Sequence, residues 1–240
     1  MRRALVLLVL LGTAIACDVD HNKEVDGSGE ISSEVRSVAG FTRISLQREG
    51  TVEVGQGPTE SLVVTTDDNL LTLIETEVVD GTLELRTAID TDIEPSDTVR
   101  YEIGVRDLDG LELTGAGTVS IDGWVTDAAA VRMSGAGELR VGSLDATSLD
   151  ATHSGAGSLL VEGEVQRQMV AFSGVGDYDA ADLVSEEAIV QGSGVGAMTL
   201  WVTDRLDLTL SGVGDFSYYG SPRIEQTVSG VGTINSLGDR

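Results

Sequence analysis

The sequence predicts an all-β protein, and within that class a right-handed parallel β-helix, a solenoid of coils about 20 residues long. Three observations predict it. A Ser-Gly-Ala/Val-Gly motif, once with Thr in first place, returns seven times at nearly constant spacing. Apolar and polar residues alternate with period two on both sides of it, the mark of half-buried strands. No stretch of about a dozen residues carries a helical period of 3.6; Leu183–Gln191 comes nearest and falls inside the repeat frame.

The elements follow in chain order. Arg2 and Arg3 precede an uncharged, mostly apolar run, Ala4–Ala16, too short to cross a bilayer as a helix. A basic start, an apolar middle and small residues before a cut describe a secretory signal, assigned to residues 1–16. The only cysteine, Cys17, lies where the cut falls. "AIAC" (Ala14–Cys17) resembles the bacterial lipobox, which implies lipidation of Cys17 and a stable anchor to a membrane. Asp18 resembles an inner-membrane retention signal, so the inner and outer membrane both stay open. Residues 17–36 are polar, hold Gly-Ser-Gly and lack an apolar period, and so read as the lipidated Cys and a flexible tether.

One β-helix domain is expected over 37–238, with first coils at 37–110 and regular repeats at 111–238. "FTRISL", "TVEV" and "TLELR" alternate strictly, separated by Gly50, "GQGP" and Asp80-Gly81. The motif then starts at Thr114, Ser134, Ser154, Ser173, Ser193, Ser211 and Ser229. Its first glycines are Gly115, Gly135, Gly155, Gly174, Gly194, Gly212 and Gly230. Its second are Gly117, Gly137, Gly157, Gly176, Gly196, Gly214 and Gly232. Apolar columns flank it three and one residues before (Leu111 and Leu113 in the first repeat) and five and seven after (Val119 and Ile121). Two short strands and a connector cannot bury their own apolar face. Stacked in parallel, with rungs ~4.8 Å apart, they can. Right-handedness follows from the general hand of parallel crossovers. Antiparallel hairpins, as in a propeller or sandwich, call for longer repeats or turn-rich pairs.

The flanking columns share one parity, which would turn both motif glycines inward and leave a hollow at each rung. A bend at the motif is therefore expected, with glycine allowing positive φ and close backbone approach. The Ser or Thr hydroxyl is expected to bond nearby backbone, making a stacked ladder beside an Ala/Val column.

Composition narrows function. A net charge of −25 with a single lysine repels nucleic acid and anionic lipid. Phosphate loops need their glycines before a helix, usually with lysine. Calcium β-rolls repeat about every nine residues. No serine sits in a Gly-x-Ser-x-Gly elbow. The only histidines are His21 and His153, and His153 falls in an inward column without partners, so it reads as packed. No cofactor, metal site or catalytic residue is expected. One enzymatic alternative survives: Asp177 and Asp215, joined by Asp179, in one column two rungs or ~10 Å apart, as in carboxylate-dependent polysaccharide cleavage.

The segments "SSEVRSVAGFTRISL", "TVEVGQG", "DDNLLTLIETEVVDGTLEL" and "YYGSPRIEQTVSGVGTI" resemble the DUF2807 family, the putative auto-transporter adhesin head GIN domain. The resemblance runs from about Ser33 to Leu237, with Gly220–Pro222 among its better markers. The family pattern usually has Ser or another small residue in the motif's third place, where this chain has Ala or Val. The resemblance implies a right-handed β-helix-like fold in exported, often lipid-anchored bacterial proteins, with no catalytic residues to carry over. The expected protein is a membrane-anchored, non-enzymatic β-helix facing the periplasm or cell exterior. It would act as an adhesin-type binding module for a cell-surface or envelope ligand, glycan or protein. A polysaccharide-degrading enzyme and a structural envelope scaffold are the alternatives.

Overall fold

A computed structural model describes residues 23–240. The expected signal at 1–16, the expected lipidation site Cys17 and the first residues of the expected tether lie outside the described residues. Nineteen strands are present among the described residues, with one short 3-10 turn at Leu71–Leu73. The first nine are β1 (Lys23–Asp26), β2 (Ile31–Arg36), β3 (Arg43–Leu46), β4 (Glu49–Gln56), β5 (Ser61–Asp67), β6 (Ile74–Val79), β7 (Thr82–Thr87), β8 (Thr91–Glu94) and β9 (Arg100–Val105). Then follow β10 (Gly110–Leu113), β11 (Ala116–Ile121), β12 (Trp124–Met133), β13 (Ala136–His153), β14 (Ala156–Phe172), β15 (Val175–Gly192), β16 (Met198–Leu210), β17 (Phe216–Tyr219), β18 (Arg223–Val228) and β19 (Ile234–Ser236).

From β10 onward the chain is a parallel solenoid. Every pairing between its successive coils is parallel. A turn has three straight runs, as in Ala136–Val141, Leu144–Ala146 and Ser148–His153, each paired with its counterpart one coil on. The predicted columns face the interior: Leu113, Met133, His153 and Phe172 are all buried, as are Val119, Leu139, Leu159 and Tyr178. Each large apolar side chain so buried contributes about 1.5–3 kcal/mol, and the stack supplies what one coil cannot. Trp124 is fully buried and donates its indole N–H to the Leu108 carbonyl at 2.8 Å. The shortened repeats lose their residues elsewhere than at the motif. β13 and β14 slip by one between the first and second runs, where Gly163 has φ +131°. The Ser-Gly corner keeps register throughout, with Gly137 opposite Gly157 and Gly157 opposite Gly176.

The first coils, expected over 37–110, are not laid down in chain order. The coil β3–β4 lies between two others: β3 pairs in parallel with β7 and β10, and β4 with β9 and β11. The chain therefore builds outward to β7 and β9, then returns past its own first coil to begin β10. Three strands at that end run antiparallel: β6 on β7, β5 on β9 and β2 on β5. The cause is local at β6–β7. Asp80 and Gly81, at φ +48° and +76°, form a two-residue turn that joins paired Val79 and Thr82. Such a turn reverses the chain into an antiparallel hairpin.

The tether assignment also needs correcting for residues 23–36. β1 pairs in parallel with β8, and β2 is an edge strand on β5. Ile31 and Val35 are exposed, so no buried face imposed an apolar period. Order there comes from polar contacts instead. The buried Asp67 carboxylate accepts from Gly29 N at 2.7 Å, Ser96 N at 2.9 Å and Ser96 Oγ at 2.7 Å. Asn69 accepts from Ser28 N and donates to the Asp26 carbonyl. The Gly-Ser-Gly stretch is thus a strapped turn rather than a linker.

Candidate binding surface at the Ser-Gly corner

At each motif the chain turns a corner, and backbone makes it. In the second repeat Ser134 N and Gly135 N both donate to the Leu113 carbonyl, at 3.0 and 2.9 Å, and Ala136 N donates to Gly115 O at 2.9 Å. Each coil's corner hangs in this way from the coil before it. A Cβ on Gly135 would run into the Gly115 carbonyl oxygen, and one on Gly137 into that of Gly117. Gly137 also has φ +129°, where side chains are strained. Both glycines are therefore required by the approach of neighbouring backbones, rather than by side chains packed across the interior.

The motif's other two residues point outward. The serines are exposed from Ser134 to Ser229. Among the described residues, only the Thr114 hydroxyl bonds back to the chain, to Leu46 O at 3.2 Å. The expected hydroxyl-to-backbone ladder is thus replaced by an amide-to-carbonyl one, and the hydroxyls face solvent. The third position is exposed too: Val175 at 59%, Val195 at 49%, Val213 at 52% and Val231 at 71%. These four valines stack rung on rung through parallel bridges. Two residues before each of the last five motifs stands a further outward residue, Thr152, Ala171, Gln191, Thr209 and Thr227, where the first two repeats have Glu112 and Arg132. Across five coils these three columns hold no charged side chain, in a chain of net charge −25. Five rungs span ~19 Å.

The aspartates singled out by the sequence border this strip. Asp177 accepts from Ala197 N at 3.0 Å, and Asp215 accepts from Thr233 N at 3.0 Å and Thr233 Oγ1 at 2.6 Å. Each carboxylate caps the next coil's corner. The Thr233 hydroxyl and amide hold the Asp215 carboxyl below its ordinary value, the opposite of what a general acid needs. Asp179 accepts from Ala181 N, a local turn contact.

His153 lies in the core, stacked on Phe172 with ring centroids 4.9 Å apart, its Nε2 3.1 Å from Gly157 O. Sequence reasoning missed a buried polar chain: Tyr178 donates to Gln168, Gln168 to Ser185, and Ser185 to the Trp201 carbonyl. Burial pushes the Tyr178 hydroxyl upward, so it stays a neutral donor. Polar residues inside apolar columns were its only sequence signal. Glu24, Asp26 and Glu94 gather exposed carboxylate oxygens within 4.8 Å on β1 and β8, a hard oxygen set of the kind divalent ions take. No helix among the described residues is long and apolar enough to cross a membrane.

Comparison with known proteins bears on the whole coil stack. The family model described as "Putative auto-transporter adhesin, head GIN domain" matches residues 40–222. A putative adhesin from Bacteroides fragilis is similar, with a TM-score of 0.85 and 28% identity, over 89% of this chain and 100% of that one. A putative lipid binding protein from Parabacteroides distasonis shares the fold at a TM-score of 0.73 and 23% identity, over 90% and 100% of the two chains. A putative adhesin from Parabacteroides merdae does so at 0.67 and 16%, over 90% and 99%. No curated protein matches the chain.

Proposed function

The chain belongs to the DUF2807 family, and from that premise we propose that it is an extracytoplasmic, adhesin-type binding module without catalysis, anchored to the cell envelope through Cys17. The observation that carries the reading is the uncharged strip of hydroxyls and valines on the Ser-Gly corner. Solvated acidic faces suit a protein that must stay soluble, and a flat strip without charge is where a partner can be desolvated cheaply. Its repeat of ~4.8 Å suits an extended ligand met at several rungs at once. The ligand class that fits best is a neutral cell-surface or envelope glycan, with an extended protein segment second. Hydroxyls would supply hydrogen bonds and valine methyls the apolar contact. The family description and the Bacteroides fragilis adhesin support this reading.

A screen against cell-wall glycans and envelope proteins tests it. Binding is expected to fall at least about tenfold in the double variant Val195→Asp, Val213→Asp, since two exposed charges there cost binding and not folding. A screen without any ligand, or binding untouched by the double variant, would sink the proposal. For the anchor, fatty-acid labelling should disappear in Cys17→Ala.

A further inference from the structure

The last coil of the solenoid has one free side. β18 pairs only with β16 and β19 only with β17, so among the described residues their far edges carry unpaired backbone groups. The interior stops short as well. Val228 and Leu237 are exposed there, at 47% and 45%. Proteins usually blunt such an edge with charge, proline or a covering element. This edge has no net charge: over residues 220–240, Arg223 and Arg240 balance Glu225 and Asp239, and Pro222 stands before β18 rather than within it. The whole excess of −25 therefore lies in the rest of the chain.

We propose that this coil is a self-association surface, on which a second copy of the chain docks tail to tail about a two-fold axis, with β18 antiparallel to its own copy. Four observations select this occupant. The opposite end does not continue the ladder as the tail does: β6 runs antiparallel to the coils, β2 is joined to them only through the reversed β5, and the two edges carry Glu75, Glu77 and Glu34. Tail-to-tail contact joins the neutral ends and holds the acidic bodies apart, beyond the ~8 Å over which charge acts at physiological salt. With the chain cut before Cys17, as proposed above, the segment before residue 23 is excluded by reach. It joins the chain at β1 beside the N-terminal cap, and the six residues after Cys17 up to Lys23 span at most ~22 Å. The eight or so coils to the far edge span ~38 Å.

The fourth observation is the register. Residues directly opposite in an antiparallel pair share a face, so the two numbers must sum to an even value. Centring on Glu225 would set that carboxylate against its own copy. Centring on Gln226 sets Gln226 on Gln226, inward Ile224 on inward Val228, and Glu225 on Thr227. That register opposes no like charges and covers the exposed Val228.

Charge swapping at the centre tests both the dimer and the register. Sedimentation velocity on the detergent-solubilised full chain should show a dimer. Gln226→Glu and Gln226→Lys each place like charges face to face and should weaken it at least about tenfold. An equimolar mixture of the two should restore it. Gln226 is exposed, so thermal melts of both variants should match the wild type. A wild-type monomer at roughly 0.1 mM would overturn the proposal. So would a dimer indifferent to both substitutions, which is what two chains sharing a micelle would give, or a mixture that stays monomeric.

Discussion

The solenoid ends in two different ways. At the N-terminal end β6 and β5 reverse direction, β2 is laid antiparallel on β5, and Phe41, Tyr101 and Asp67 are buried. At the C-terminal end the parallel ladder runs on to β18 and β19 and ceases, with Gln226 and Ser236 standing where earlier coils put aliphatic side chains. A parallel stack has no intrinsic stop, because each coil leaves an edge like the one it covered. Closing it takes a change of strand direction, and this chain makes that change once.

The largest expected effect separates the middle of the stack from its open end. In Gly194→Val the new side chain meets the Gly174 carbonyl and the Phe172 ring, in a coil held on both sides. Stability should fall by more than about 4 kcal/mol, enough to prevent folding. In Gly230→Val the clash is with the Ser211–Gly212 backbone and no side chain, and the last coil can swing away. About 1–2 kcal/mol should be lost. Urea denaturation of the pair measures the difference; equal costs would show that the last coil is as rigidly held as the rest.

Most of the regular stack was legible because its signals are local and repeated. Gly135 and Gly137 recur in register, and the columns at Val119 and Ile121 alternate with period two. The N-terminal cap was less so. The Asp80-Gly81 turn was visible as a break, but its hairpin geometry was what reversed β6. β1 and β2 left no apolar pattern because hydrogen bonds to Asp67 and Asn69 order them, and hydrogen bonds leave no period. The binding strip was half legible. The serine and valine columns were named, while the release of the serine hydroxyls follows from amides taking the backbone contacts.

Asp67 offers an intermediate effect confined to the closed end. The Ser96 hydroxyl, with the Ser96 and Gly29 amides, holds its carboxyl below the ordinary 3.8. A depressed folded value means that the unfolded chain binds the proton more readily. The contribution to stability is therefore whole above about pH 4 and lost as pH falls through the lower, folded value. Amide protection in β1, β2 and β8 should drop over that acid range before protection in β13 and β14 does. Asp67→Asn should show the same loosening at neutral pH and a flatter response to acid. Simultaneous loss across all strands would mean that the cap and the coils are one cooperative unit.

The smallest expected effect probes what the open end has in place of a cap. The C-terminal tail folds back: Leu237 N donates to Tyr218 O at 2.8 Å and Gly220 N to Gly238 O at 2.9 Å. Arg240 then lies 5.1 Å from the Tyr219 ring centre and 5.7 Å from that of Trp201, and pairs with Asp182. Its side chain is 40% exposed, so solvent screens the ion pair and the rings carry much of the contact. Arg240→Ala should cost about 1 kcal/mol or less. Its signature is local: faster exchange at the Gly220 and Leu237 amides, with β13 unaffected. If those amides keep their protection, the two backbone bonds alone hold the tail, and Arg240 is not part of what closes this end.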